Sequence, residues 1–217
     1  GSRRPRAARR GARAAVVLAA GFSETGAEGA RLEREIVETA LAANITLIGP
    51  NCMGLMSNDR RLHGTGFVAL HPPKGKLSFV SQSGSIGPGV VNACEQRGIG
   101  MDKFISVGNE AMVSAFDVLE YLGDDPSTQG IMMYLEGAAD GRLLRETLVR
   151  VTSEKPVLVL KSGRTQAGRR ATASHTGSMS GEDDLYEAVF RQSGAVRARS
   201  LEELVDMARV FSTQPCP

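Results

Sequence analysis

The sequence predicts an α/β protein built on a parallel sheet. Apolar runs of strand length alternate with helical patterns along the chain, the sequence form of repeated β-α-β units. Aromatic residues make up only 5% and Trp is absent, so packing rests on Val, Leu, Ile, Ala and Met. That palette suits helices laid on a sheet better than an aromatic-rich β-sandwich. With 217 residues, 41% hydrophobic and 23% charged, the chain can bury one large or two modest cores.

The elements follow in order. Ala14–Ala20 reads as a buried strand, and a helix over Ala30–Ala43 puts Leu32, Ile36, Ala40 and Ala43 on one face. Ile45–Ile48 reads as a second strand, closed by Gly49-Pro50-Asn51. This block is too short for an independent doubly wound domain and has the form of the back half of one. Between Leu55 and Lys76 the periodicity fades, and His71-Pro72-Pro73-Lys74-Gly75-Lys76 reads as a connector.

A second, complete series begins there. Strands are expected at Leu77–Ser81, Phe104–Val107, Ile131–Leu135, Val157–Lys161 and Ala195–Ala198. Helices are expected at Ser85–Arg97, Val113–Leu122, Gly141–Ser153, Glu182–Gln192 and Leu201–Phe211. Five strands alternating with five helices predict a flavodoxin-like, five-stranded parallel sheet domain. Right-handed crossovers would place every strand's C-terminal loop on one rim, where ligands bind. The expected organisation is therefore a cloning scar and Arg-rich leader over 1–13, a partial doubly wound domain over 14–71, a linker over 72–76, and the flavodoxin-like domain over 77–213.

The net charge of +2 is misleading as a guide to partners, because six of the 26 basic residues lie in the first 13 positions. Residues 14–217 hold 20 basic against 24 acidic residues, which argues against a nucleic-acid partner. Cys52, Cys94 and Cys216 are far apart with no Cys-x-x-Cys spacing. They suggest neither a disulfide framework nor a metal site, and free thiols fit a cytoplasmic location. No apolar run approaches the roughly 20 residues that span a bilayer. The run after the Arg-rich leader ends at once in the polar turn Gly21-Phe22-Ser23-Glu24, unlike a secretory signal.

Three loops on the expected rim can carry chemistry. Ser81-Gln82-Ser83-Gly84-Ser85-Ile86-Gly87 joins a strand to a helix; its small residues let backbone N–H groups approach an anion at the helix start. The alternative there is a plain capped turn, since Ser is a common N-cap. Ala173-Ser174-His175-Thr176-Gly177-Ser178 holds the second loop's histidine among Ser, Thr and Gly, with no apolar face to pack against. Such a loop is costly to order without a ligand or partner. Tyr134-Leu135-Glu136-Gly137 ends a strand that reads as buried, so its carboxylate is solvated at the rim or paired. A carboxylate on one imidazole nitrogen leaves the other free as a nucleophile, so Glu136 against His175 is the pairing with chemical sense.

Two further patterns compete. Gly163-Arg164-Thr165-Gln166-Ala167-Gly168-Arg169-Arg170 has P-loop glycine spacing but lacks the Lys-Ser/Thr pair that touches phosphate and magnesium. Strand–Ser81-Gln82-Ser83-Gly84-Ser85–helix imitates a hydrolase nucleophile elbow with Ser83 as nucleophile and His175 following, though Ser81 replaces the elbow's first glycine.

Taken together, Ala19-Ala20-Gly21-Phe22-Ser23-Glu24, Ile48-Gly49-Pro50-Asn51-Cys52-Met53-Gly54, Ser81–Ser85, Val107-Gly108-Asn109-Glu110, Tyr134–Gly137 and Ser174-His175-Thr176-Gly177 form an ordered set. In this set the chain resembles the nucleoside-diphosphate-forming acyl-CoA synthetases, relatives of succinyl-CoA ligase, over nearly everything from Ala14 to Phe211. The resemblance implies that 14–71 is the C-terminal half of a Rossmann-like CoA-binding domain. It implies a ligase joining a small carboxylic acid to CoA at the expense of ATP or GTP, through an acyl phosphate and phosphorylated His175. Glu136 would steady that histidine. Ser81, Gln82, Ser83, Gly84, Ser85, Ser174, Thr176 and Gly177 would bind phosphate, and Ser23, Glu24, Pro50, Asn51 and Cys52 would approach the thiol end of CoA. The nucleotide and its Mg2+ would sit on an ATP-grasp domain or beta subunit within an oligomer. By the same resemblance the chain is expected to be truncated at both ends and incomplete as a ligase alone. The rival from another class is a regulatory CoA-binding module of a protein acetyltransferase, which His175 disfavours; a serine hydrolase is third.

Overall fold

The computed structural model describes residues 7, 10–67, 70–163 and 183–214. The first block forms β1 (Ala14–Val16), a 3-10 turn at Ser23–Thr25, α1 (Ala27–Ala42) and β2 (Thr46–Ile48). The hairpin β3 (Gly54–Ser57) and β4 (Leu62–Thr65) follows. Then come β5 (Lys74–Ser81), α2 (Ile86–Gln96), β6 (Met101–Ser106), α3 (Ala115–Asp124), β7 (Gly130–Leu135) and α4 (Gly141–Thr152). The series closes with β8 (Val157–Lys161), α5 (Asp183–Ser193), β9 (Val196–Ala198) and α6 (Leu201–Thr213).

Strands β5 to β9 are mutually parallel in the order β6-β5-β7-β8-β9. Their runs are apolar throughout because both faces are covered. On one face Val80, Ile105, Ile131, Met133, Val157 and Val159 meet α3, α4 and α5 through Leu119, Leu122, Leu144, Leu148 and Phe190. On the other, Phe79, Phe104, Met132 and Leu158 meet α2 and α6 through Val90, Val91, Leu204 and Val205. Ser81 stands opposite both Ser106 and Tyr134, and Leu135 opposite Lys161, so the strand ends share one rim.

Four expectations are corrected. The sheet has seven strands rather than five, because β3 pairs antiparallel with β6 and β4 with β3. The hairpin gave little sequence signal because β4 is a largely exposed edge with Gly64 inside it. Lys74–Lys76, expected in the connector, open β5: Gly75 and Gly100 approach so closely that a Cβ on Gly75 would lie 2.2 Å from the Gly100 carbonyl carbon. The strand expected over Ala14–Ala20 is confined to Ala14–Val16 and is not buried; Val16 and Leu18 are 37% and 45% exposed. Its recorded pairing is with β2, in parallel. In α1 the packed face is Ile36, Val37 and Ala40, against Ile45 and Leu47, while Leu32 is exposed.

Candidate functional site

A cleft of about 830 Å³ opens on the C-terminal rim of the sheet. Gln82, Ser83, Gly84 and Ser85 line it from the β5–α2 loop, and Gly108, Asn109 and Glu110 from the β6–α3 loop. Glu136, Gly137 and Ala138 line it from the β7–α4 loop. Ser23, Glu24, Asn51 and Cys52 line it from the first block. Residues singled out for two different tasks in the sequence therefore share one cavity.

The loop after β5 is braced from within. Ser81 Oγ donates to Ser83 O (2.8 Å) and accepts from Ser83 N (3.2 Å). Ser81 is fully buried and does not line the cleft. Its hydroxyl shapes the loop. Ser85 occupies the N-cap of α2 in a helical conformation and makes no side-chain cap bond. The capped-turn alternative is thus not what the chain adopts, and the helix start carries its partial positive charge beside the cleft. Ser83 Oγ lies 3.2 Å from Ser85 Oγ. Ser83 is also absent from the left-handed non-glycine residues, which among the described residues are Asn44, Asn51, Arg61 and Glu110. The strained turn that exposes a hydrolase nucleophile is missing here.

Gln82 is the hub of the rim. Its Oε1 accepts from Glu136 N (2.5 Å) and Gly137 N (3.2 Å). Its Nε2 donates to Gly137 O (3.1 Å) and to both Glu110 carboxylate oxygens (3.2 Å each). The amide, expected to contact phosphate, ties three rim loops together.

Glu110 was not assigned from the sequence, although Val107–Glu110 stood out as a motif. Its backbone is left-handed (φ 59°), and its carboxylate accepts from Ala115 N (2.6 Å) at the start of α3. Burial pushes its pKa up against those hydrogen bonds, with Asp117 and Glu136 adding like charge.

Asn109 joins the two blocks. Its Nδ2 donates to Glu24 Oε2 (2.5 Å), Glu33 Oε2 (2.9 Å) and Ser23 Oγ (3.1 Å), and its Oδ1 accepts from Asn51 Nδ2 (3.2 Å). Its backbone N–H donates to Pro50 O (2.9 Å), so Pro50 acts through its carbonyl and lies outside the cleft lining. The approach depends on Gly108, where a Cβ would lie 2.0 Å from Pro50 O. Glu24 also accepts from Gly21 N (2.6 Å) and Phe22 N (3.2 Å). Burial raises its pKa, but the Asn109 and backbone bonds outweigh it and hold the carboxyl below its ordinary value. Cys52 is buried, its thiol 3.4 Å from Val17 O, and burial raises its pKa. It is therefore a neutral wall of the cleft at physiological pH.

His175, Ser174, Thr176 and Gly177 lie outside the described residues. Among the described residues no group of three or more His, Cys, Asp or Glu is placed to hold a metal ion. No helix among them is long and apolar enough to cross a membrane.

With this geometry in hand, comparisons place the chain. Its sequence is 45% identical over 208 residues to the Acetate--CoA ligase [ADP-forming] II subunit alpha of Pyrococcus furiosus, covering 96% of this chain and 45% of that protein. It is 41% identical to the 4-hydroxybutyrate--CoA ligase [ADP-forming] of Nitrosopumilus maritimus, covering 93% of this chain and 29% of that one. Among solved structures, acetyl-coenzyme A synthetase 1 of Ca. Korarchaeum cryptofilum, in complex with phosphate and ADP, superposes with a TM-score of 0.90 at 38% identity. That match covers 97% of this chain and 45% of that one. The chain thus spans less than half the length of these relatives. Residues 74–211 match the family described as "Succinyl-CoA ligase like flavodoxin domain". Matched over more than half its length, the chain belongs to that succinyl-CoA ligase-like flavodoxin family.

Proposed function

We propose that this chain is the CoA-binding and phosphohistidine-bearing part of an acyl-CoA ligase that forms a nucleoside diphosphate. The observation that carries the reading is the shared cleft, which Ser23, Glu24, Asn51 and Cys52 line together with Gln82, Ser83, Gly84, Ser85 and Glu136. Relatives named as ADP-forming CoA ligases support it. The cavity of about 830 Å³ suits the reactive end of a large thiol beside a phosphoryl group.

In this reading the first-block residues hold the thiol end of CoA, which leaves as the free thiol when inorganic phosphate takes the acyl group from its thioester and forms the acyl phosphate. Ser83–Ser85 and the uncapped start of α2 take phosphoryl oxygens through backbone N–H groups. A neutral His175 nitrogen forms the N–P bond with the acyl phosphate as the P–O bond to the acyl group breaks, and the acid leaves as its carboxylate. Glu136 orients the imidazole. Ser174, Thr176 and Gly177 surround the phosphoryl group in the same loop. The phosphoryl group then passes to a nucleoside diphosphate on an ATP-grasp partner, where Mg2+ belongs.

Calorimetric titration with CoA tests the first half. Saturable binding is expected, and Asn51→Ala should weaken it about 10-fold, the equivalent of one lost hydrogen bond. Lys74→Ala, on an exposed position at the other end of β5, should leave it unchanged. Absent binding, or equal loss in both variants, contradicts this placement of CoA.

A further inference from the structure

The turn that presents Glu136 is held on two sides. From one side come the Gln82 bonds to Glu136 N, Gly137 N and Gly137 O. From the other comes Lys161, the last residue of β8, which is 2% exposed. Its Nζ donates to Glu136 O (2.8 Å) and Ser162 O (2.7 Å) and stands 4.6 Å from the centre of the Tyr186 ring. The Tyr186 hydroxyl in turn accepts from Ala138 N (3.0 Å). Three side chains from three elements therefore bind both peptide groups of Glu136 and Gly137 and the next N–H.

A buried ammonium is a costly way to satisfy two neutral carbonyls, since a polar uncharged side chain would serve. What a lysine adds is a positive charge under the floor of the cleft, in a region where water screens it little. Lys161 does not line the cleft, so it acts through the turn it holds. We propose that Lys161 is a positioning residue for Glu136, its ammonium fixing the Glu136 carbonyl and holding a positive charge beneath the phosphoryl-handling cleft. This rests on the reading of the cleft given above.

The charged and titratable groups facing Lys161 are Glu136 from the β7–α4 turn, Asp183 and Tyr186 from α5, and Arg197 from β9. Burial lowers its pKa to about 8, with Arg197 pushing the same way and Asp183 and Glu136 opposing. The ammonium is therefore largely retained at neutral pH and lost as pH rises through about 8. Arg197 is itself engaged by Asp183 and Glu187.

The test uses the full chain and labelled acetyl phosphate, reading the rate of acid-labile protein label between pH 6 and 10. Wild-type label should form and its rate should fall above about pH 8. Lys161→Met should slow labelling at pH 7 by about 10-fold or more, the range met when groups that orient a reactive ligand are removed. Lys161→Arg, which keeps its charge across this range, should retain more rate than Lys161→Met and lose the alkaline fall. If Lys161→Met fails to fold, γ-thialysine at this position serves instead. Its sulfur withdraws charge and lowers the amine pKa, so the fall should move to lower pH. Normal labelling with an unchanged profile in these variants overturns the positioning role while leaving the wider reading intact. No label on wild-type protein defeats that wider reading itself.

Discussion

At the level of single residues, the rim shows how far residue type and spacing carry an argument. Ser83, Gly84, Ser85 and Glu136 were marked by their loops, Ser23, Glu24, Asn51 and Cys52 by the family resemblance, and all line the cleft. Gln82 was marked too, as a phosphate contact, and it also lines the cleft. A Gly/Ser-rich loop announces that backbone can approach a ligand; it does not say where a long amide inside it points. That is decided by main-chain groups more than 50 residues away, at Glu136 and Gly137. Asn109 and Glu110 show the same limit, because their partners Glu24 and Gln82 come from other loops. Gln82→Leu leaves three backbone groups without their present partners. It should cost about 1–3 kcal/mol of stability, read as a lower denaturant midpoint, and slow His175 labelling. A midpoint equal to wild type would mean the hub is dispensable.

At the level of elements, the second series was legible to within a few residues at each boundary. Strands buried on both faces give continuous apolar runs, and amphipathic helices between them give the longer period. The β3–β4 hairpin was not legible, since its stability comes from pairing with β6 across the sheet rather than from local pattern. Helix caps separate structure from function. In α3, Ser114 accepts from Asp117 N and Asp117 answers at the Ser114 N–H, a complete capping box. In α2, Ser85 makes no such bond. Ser114→Ala should therefore destabilise by about 1 kcal/mol, whereas Ser85→Ala should change the denaturant midpoint little. Added phosphate should raise the wild-type melting temperature through the α2 start. Equal losses in the two variants would mean that the start of α2 is an ordinary capped terminus.

At the scale of the whole molecule, chemistry and ballast sit at opposite ends of the sheet. The cleft lies beyond the strands' C-terminal ends. At their N-terminal ends Lys103 Nζ bonds Asp102, Asp125 Oδ2 (2.6 Å) and Ser127 Oγ (2.7 Å), while Thr128 Oγ1 donates to Asp125 Oδ2 (2.8 Å). Burial pushes the Asp125 pKa up, but the bonds from Lys103, Ser127 and Thr128 outweigh it and leave the carboxyl well below its ordinary value. A depressed carboxyl pKa contributes stability above the unfolded-state value and loses it as pH falls. Thermal stability should thus drop on acidification below about pH 4. Asp125→Asn should be less stable at pH 7 and less sensitive to that acidification, and an identical acid response would remove Asp125 from the account. In the ligase reading the chain alone should make no acyl-CoA from ATP, acid and CoA, and an ATP-grasp partner should restore at least phosphoryl transfer between ATP and His175. The most direct measurement of the central claim is the site of that phosphoryl group, mapped after incubation with labelled acetyl phosphate. The account predicts acid-labile, base-stable label that His175→Ala abolishes, Glu136→Gln weakens and Ser83→Ala largely spares. Label that persists in His175→Ala, or that disappears with Ser83→Ala, would contradict it.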